Sequence, residues 1–90
     1  MSLRRDAFGR FVRMLRKLNR MSMGDLGRAM NTGPAWVSGI ERGEALPPDR
    51  VGVDAMCDAL AIHSTGRAVM HEYAETVRNA YNGIVPEPGS

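Results

Sequence analysis

Basic side chains are the most chemically pointed feature of this 90-residue chain, and they are unevenly placed. Positions 1–20 hold seven Arg or Lys against one Asp, a local charge of +6, whereas the other seventy positions hold five against nine, or −4. The net charge of +2 hides this asymmetry. Positive potential concentrated at one end favours an anionic partner; the competing reading is a solvated helix face that serves solubility alone. Other side-chain chemistry is sparse. The single cysteine, Cys57, excludes an internal disulfide framework and, with the two scattered histidines, cannot complete a zinc ligand set. Cys57 reads as a small buried hydrophobe, and His63 and His71 as surface residues. No Ser/His/Asp or Cys/His nucleophilic set, paired-carboxylate arrangement or phosphate-cradling glycine loop occurs, and a domain this small has little volume for a buried cleft. An enzyme is not expected, and neither a cofactor nor a metal is implied.

The elements that must position the charges are helical. Apolar residues recur at spacings of three and four almost throughout, without strand-like alternation, internal repeat or low-complexity tract. No apolar run approaches the roughly 18 residues of a membrane span, and the first twenty residues lack a signal-like apolar core, so a cytoplasmic protein without membrane contact is expected. The first helix is predicted over residues 6–19, with Asp6 as N-cap and Phe8, Phe11, Val12, Leu15 and Leu18 as one apolar stripe. Arg10, Arg13, Lys17 and Arg20 fall in a sector about 80° wide on the opposite side, whereas Arg16 lies nearer the stripe, where its guanidinium needs a partner inside the protein.

Ser22 and Asp25 have the spacing of a capping box and open a second helix through Leu26 and Ala29 to about Met30. Asn31, Thr32 and Gly33 interrupt the pattern with turn residues, Pro34 restarts a helix at its favoured first position, and Gly43 suits the left-handed residue after the last turn. Pro47 and Pro48 open a fourth helix whose Val51, Val53, Met56, Ala59 and Leu60 can face a core. Ser64 caps a fifth, with a stripe of Val69, Tyr73, Val77 and either Ala80 or Tyr81. Residues 1–82 then form one domain, and Gly83, Pro86 and Pro88 mark a tail over residues 83–90.

The stretch from Ser22 to Gly43, SMGDLGRAMNTGPAWVSGIERG, carries the most information. Two short helices joined by a three-residue turn need small and apolar residues at particular places. Leu26, Met30, Val37 and Ile40 can fill the interior where they meet, Gly27 removes a side chain where two backbones approach, and Asn31 tolerates the left-handed turn.

Together with the basic first helix FGRFVRMLRKL, the Met21-Ser22 entry, the VSGIERG ending, LPPD and VDAMCDAL, these residues resemble the phage repressor and Cro type of helix-turn-helix DNA-binding protein, the XRE family, over roughly residues 8–62. The resemblance implies an all-α, compact five-helix, lambda-repressor-like helix-turn-helix domain. It also implies a partner for Arg16: a structural ion pair with Glu41 that fixes the angle between the first and third helices.

In such a fold the third helix enters the major groove and the start of the second faces the sugar-phosphate backbone. Carried over residue by residue, Gly33, Pro34, Ala35, Trp36, Ser38 and Gly39 are base-facing, while Val37 and Ile40 face inward. The family's better base readers often place Gln, Arg or Asn there; this chain offers one hydroxyl and an alanine methyl, so DNA shape is expected to contribute to sequence preference. Two alternatives stay open: Trp36 packs against helix four or a second subunit, and Gly39 merely weakens the helix. Phosphate contacts are expected from Met23 and Gly24 through helix-end amides, and from Arg42, Arg28, Arg10 and Arg13. Met23 replaces a glutamine common in the family, which removes one side-chain contact.

One recognition helix spans few base pairs, so a homodimer on an inverted-repeat operator is expected, with Val69, Met70, Tyr73, Val77 and Tyr81 as its interface; the alternative is that this stripe covers the domain's own core. The family expectation is an operator-specific repressor from a phage, plasmid or other mobile-element circuit, or an antitoxin controlling its own operon. The competing function is a protein-binding helix-turn-helix scaffold whose partner is an acidic protein such as a cognate toxin.

Overall fold

The computed structural model describes residues 6–81, with side chains up to residue 80. The tail expected over residues 83–90 and the side chain of Tyr81 lie outside the described residues. Five helices follow one another: α1 (Ala7–Leu18), α2 (Met23–Ala29), α3 (Pro34–Glu41), α4 (Arg50–Ala59) and α5 (Ser64–Tyr81). No strand occurs among the described residues, and no helix there is long and apolar enough to cross a membrane. The fold is all-α. α3 packs on α2 and α1, α5 on α1 and α4, and α2 also meets α4.

Helix ends are written in local chemistry. The Ser22/Asp25 capping box closes reciprocally at the start of α2 and the Asp49 carboxylate accepts the Gly52 amide at the start of α4, whereas Asp6 holds the N-cap position of α1 without a side-chain cap bond. Helices α1 to α4 all finish alike. One residue turns left-handed, at Arg20, Asn31, Gly43 and Ala61. The next amide then reaches back five residues: Met21 to the Arg16 carbonyl, Thr32 to Gly27, Glu44 to Gly39 and Ile62 to Cys57. Arg20 therefore lies beyond α1 and leaves the basic sector of that helix. Ser64, read as a cap for α5, is instead its first residue and has a φ of 45°.

The core joins Phe8 and Val12 of α1, Leu26 of α2, Val37 and Ile40 of α3, Val53, Met56 and Cys57 of α4, and Met70, Ala74 and Val77 of α5, with Leu60 and Ile62 between the last two helices. Two sequence expectations fail here. Leu18 and Val51, assigned to inward stripes, are 72% and 77% exposed. Leu18 lies at the end of α1, where the stripe runs past the neighbouring helix, whereas Val51 lies on the side of α4 opposite Val53, Met56 and Leu60 and never shared their face.

The dimer stripe on α5 also needs correction. Met70 and Val77 are 0% and 2% exposed within one chain, so they have no surface left for a second copy. Val69 and Tyr73 are half-buried, and the Tyr73 ring meets Phe11 edge to face at a centroid distance of 5.4 Å. The face of α5 that covers the core is Met70, Ala74 and Val77, offset from the stripe of Val69, Tyr73 and Val77. His71 differs from the surface reading too. Its side chain is only 15% exposed, and Nε2 lies 2.8 Å from Asp54 Oδ1. Arg67 donates to Asp54 and Asp58, which completes a polar seam between α4 and α5. Burial pushes the Cys57 thiol above its ordinary pKa, and the side chain behaves as a hydrophobe.

Candidate nucleic-acid interface

The unit from Ser22 to Gly43 is built around close backbone contact. A methyl group on Gly27 would lie 2.7 Å from the carbonyl carbon of Gly33, so only glycine lets α2 touch the entry to α3. Asn31 takes φ 62°, Thr32 donates to the Gly27 carbonyl at 2.7 Å, and Gly33, extended at φ −131° and ψ 176°, hands the chain to Pro34. Pro34 brings no amide hydrogen to a position where none is needed. Val37, Ile40 and Glu41 are then buried, and the rest of α3 is left to flank or solvent.

α1 holds this unit in place. Arg16 Nε donates to Glu41 Oε2 at 2.6 Å, Nη2 to Oε1 at 3.1 Å, and Nη1 to the Met21 carbonyl at 2.8 Å. Its guanidinium thus joins the end of α3 to the residue just before the α2 cap. The two side chains are 9% and 2% exposed, and the forked carboxylate contact raises the Arg16 pKa further. Two turns earlier, Gly9 lies against the same segment of α3. A methyl there would fall 2.0 Å from the Ile40 carbonyl oxygen and 2.8 Å from Glu41 Cα. Gly43, at φ 74°, closes against Asp6. Asp6 Oδ1 is buried with no hydrogen-bond partner among the described residues.

Sequence reasoning paired Arg16 with Glu41 but missed Gly9, the Met21 carbonyl and the contact of Gly43 with Asp6. The available signal was a glycine inside an otherwise good helix, seven residues before an arginine that needs an internal partner. Seven residues is close to two helical turns, so both lie on one face.

Of the base-facing candidates, Pro34 and Ala35 are exposed, whereas Gly33, Trp36, Ser38 and Gly39 are half-buried. Trp36 packs against the core cluster, so only part of its ring remains for any partner. Gly39 lies beneath the following loop. Its carbonyl accepts the amides of Glu44 and Ala45, and a methyl on it would make an ordinary 3.5 Å contact with Ala45 Cβ.

Among the phosphate candidates, Arg10 and Arg13 are exposed and have no acidic partner among the described residues. On the α1 wheel, Arg10, Arg13 and Lys17 follow Gly9 within about 100°, beside the face that meets α3. Arg28 pairs with Asp25, and Arg42 with Glu44 at 3.1 Å; both pairs are exposed, so a phosphate can displace the acid at little cost. Met23 and Gly24 are half-buried at the start of α2. Asp25 stands beside their amides with its carboxyl pKa lowered, first by the Ser22 backbone amide, and this negative charge partly opposes an anion there. No group of metal-binding side chains occurs among the described residues.

This architecture is that of a helix-turn-helix domain. The family model described as a helix-turn-helix domain matches residues 7–70, and the chain belongs to that DNA-binding family. No curated protein matches the chain, and no solved structure matches it.

Proposed function

We propose that the protein is a sequence-specific, DNA-binding transcriptional regulator of the phage repressor and Cro type, acting in the cytoplasm as a homodimeric repressor on an inverted-repeat operator. The observation that carries this reading is the anchoring of α3. Its inner face and Glu41 are fixed by the core and Arg16, while Pro34 and Ala35 at its N-terminal end stand free in solvent. A short helix held rigidly at its back and bare at its tip suits insertion in a major groove.

Affinity then comes from the exposed arginines, Arg10, Arg13, Arg28 and Arg42, with the Met23 and Gly24 amides, and choice of sequence from the tip of α3. Two copies are required because eight residues of helix cover few base pairs. Since Met70 and Val77 belong to the core, the copies meet elsewhere than through those side chains.

Selection of duplexes from a random pool tests the proposal. Enrichment of an inverted repeat with half-sites about one helical turn apart, bound with steep salt dependence, is the expected result. A pool that enriches nothing, together with a stable complex between this chain and the product of a neighbouring gene, overturns it in favour of a protein-binding scaffold. The sparsely polar surface of α3 favours that second reading.

A further inference from the structure

The chemistry of the α3 tip is unusual for a surface that meets base edges. Ala35 and Gly39 lie four residues apart on the ridge opposite Val37, Ile40 and Glu41. Gly39 has no side chain and sits under Ala45, so the outermost groups are the Ala35 methyl and the Pro34 ring. Few side-chain hydrogen-bonding groups surround them, and the backbone donors left at the tip are the amides of Gly33 and Ala35. Pro34 has no amide hydrogen, the amides of Trp36 and Val37 donate to the Gly33 carbonyl at 3.2 and 3.4 Å, and the Thr32 hydroxyl donates to that same carbonyl at 3.3 Å. Glu41 is committed to Arg16. Ser38 and the Trp36 indole, both half-buried on the flanks, are the remaining side-chain donors of the helix.

A methyl and a ring of methylenes cannot replace the water removed from the donors and acceptors of guanine, cytosine or adenine, so pressing them there leaves polar groups unpaired. The one apolar feature of the major groove is the C5-methyl of thymine. 5-Methylcytosine carries the same methyl on the same ring carbon and points it into the same groove. We propose that the exposed tip of α3 selects a pyrimidine by its C5-methyl, through Ala35 and Pro34, accepting thymine and 5-methylcytosine and disfavouring uracil and cytosine.

The inference rests on the regulator reading and adds that binding responds to cytosine methylation at that position. Burial of one methyl corresponds to about a fourfold change in affinity, or about fifteenfold when both half-sites are altered.

The test uses the full chain and the duplex enriched from the pool. Each thymine is replaced in turn by deoxyuridine, which removes the methyl and preserves base pairing. At one or two thymines of each half-site, deoxyuridine should weaken binding about fourfold, and at the same site 5-methylcytosine should bind better than cytosine by a similar factor. Ala35→Gly should bring both ratios well below about fourfold, leaving at most the share of the Pro34 ring, and Ala35→Ser should reduce them less. Each ratio compares two duplexes on one protein, so partial unfolding of a variant cancels.

An enriched duplex indifferent to deoxyuridine at every thymine overturns this proposal and leaves the regulator reading standing. Ratios undiminished in Ala35→Gly also overturn it, since a group other than Ala35 then reads the methyl. A pool without enrichment overturns both readings.

Discussion

The α-carbon of Gly9 lies so close to Glu41 that no side chain fits between them: a methyl on Gly9 would be 2.8 Å from both the Cα and the carbonyl oxygen of Glu41. The same glutamate receives the Arg16 fork two turns further along α1. Backbone contact and ion pair therefore set one distance and one angle between α1 and α3.

Two glycine substitutions should move stability in opposite directions. Gly9→Ala forces the helices apart and should destabilise by about 1–3 kcal/mol or more, as overpacked sites do. Gly39→Ala has room beside Ala45 and should stabilise by up to about 1 kcal/mol through helix propensity. If duplex approaches the backbone at Gly39, that more stable variant should nevertheless bind DNA more weakly. Urea denaturation and a binding titration on the same samples check both parts.

Arg16→Ala leaves Glu41 buried without its partner and should cost about 3–5 kcal/mol. Arg16→Met with Glu41→Leu removes both charges and should recover much of that loss in melting temperature. An Arg16→Ala variant that melts with the parent protein would show that the pair does not hold the helices.

Acid should loosen the seam between α4 and α5. The Asp54 carboxyl is held below the ordinary carboxylate range, first by its hydrogen bond to His71 and then by Arg67. A lowered folded-state pKa gives stability that is complete above the unfolded value of about 3.9 and is lost as pH falls through the folded value. Asp54→Asn should therefore be less stable than the parent near neutrality, and the two should converge below about pH 4. Melting temperatures across pH, at fixed salt, supply the comparison.

Much of this fold was legible in the sequence because the signals were local. Ser22 and Asp25 announce a cap by their side-chain oxygens, Asn31, Pro34 and Gly43 announce turns and a helix start by their backbone preferences, and all five act where their types predict. The apolar spacing likewise marked Leu26, Val37 and Ile40 as inward. What escaped depends on which elements meet. Periodicity drew the α5 stripe through Val69, Tyr73 and Val77, whereas the buried face runs through Met70, Ala74 and Val77. Nor did it show whether that face covers the same chain or a second copy. Leu18 continues a stripe past the point where a neighbour covers it, and Val51 lies on the far side of α4 from the stripe to which its apolar type assigned it. Gly9 and the Met21 carbonyl act only through contacts that tertiary packing creates. At the site, the resemblance supplied the outward side of α3, while the half-burial of Trp36, Ser38 and Gly39 needed coordinates.

Arg42 stands after α3 with only the exposed Glu44 as partner. Arg42→Ala should weaken binding to all duplexes alike and lower the slope of log affinity against log salt by about one. A loss confined to one sequence would assign it to base reading instead.

Entry of the α3 tip into the groove is tested most directly by backbone amide shifts during titration with the enriched duplex. Changes concentrated at Gly33, Ala35, Trp36 and Ser38, with smaller ones at Met23 and Gly24, are the predicted outcome. Changes confined to α4 and α5, with the amides of α3 unmoved, would contradict it.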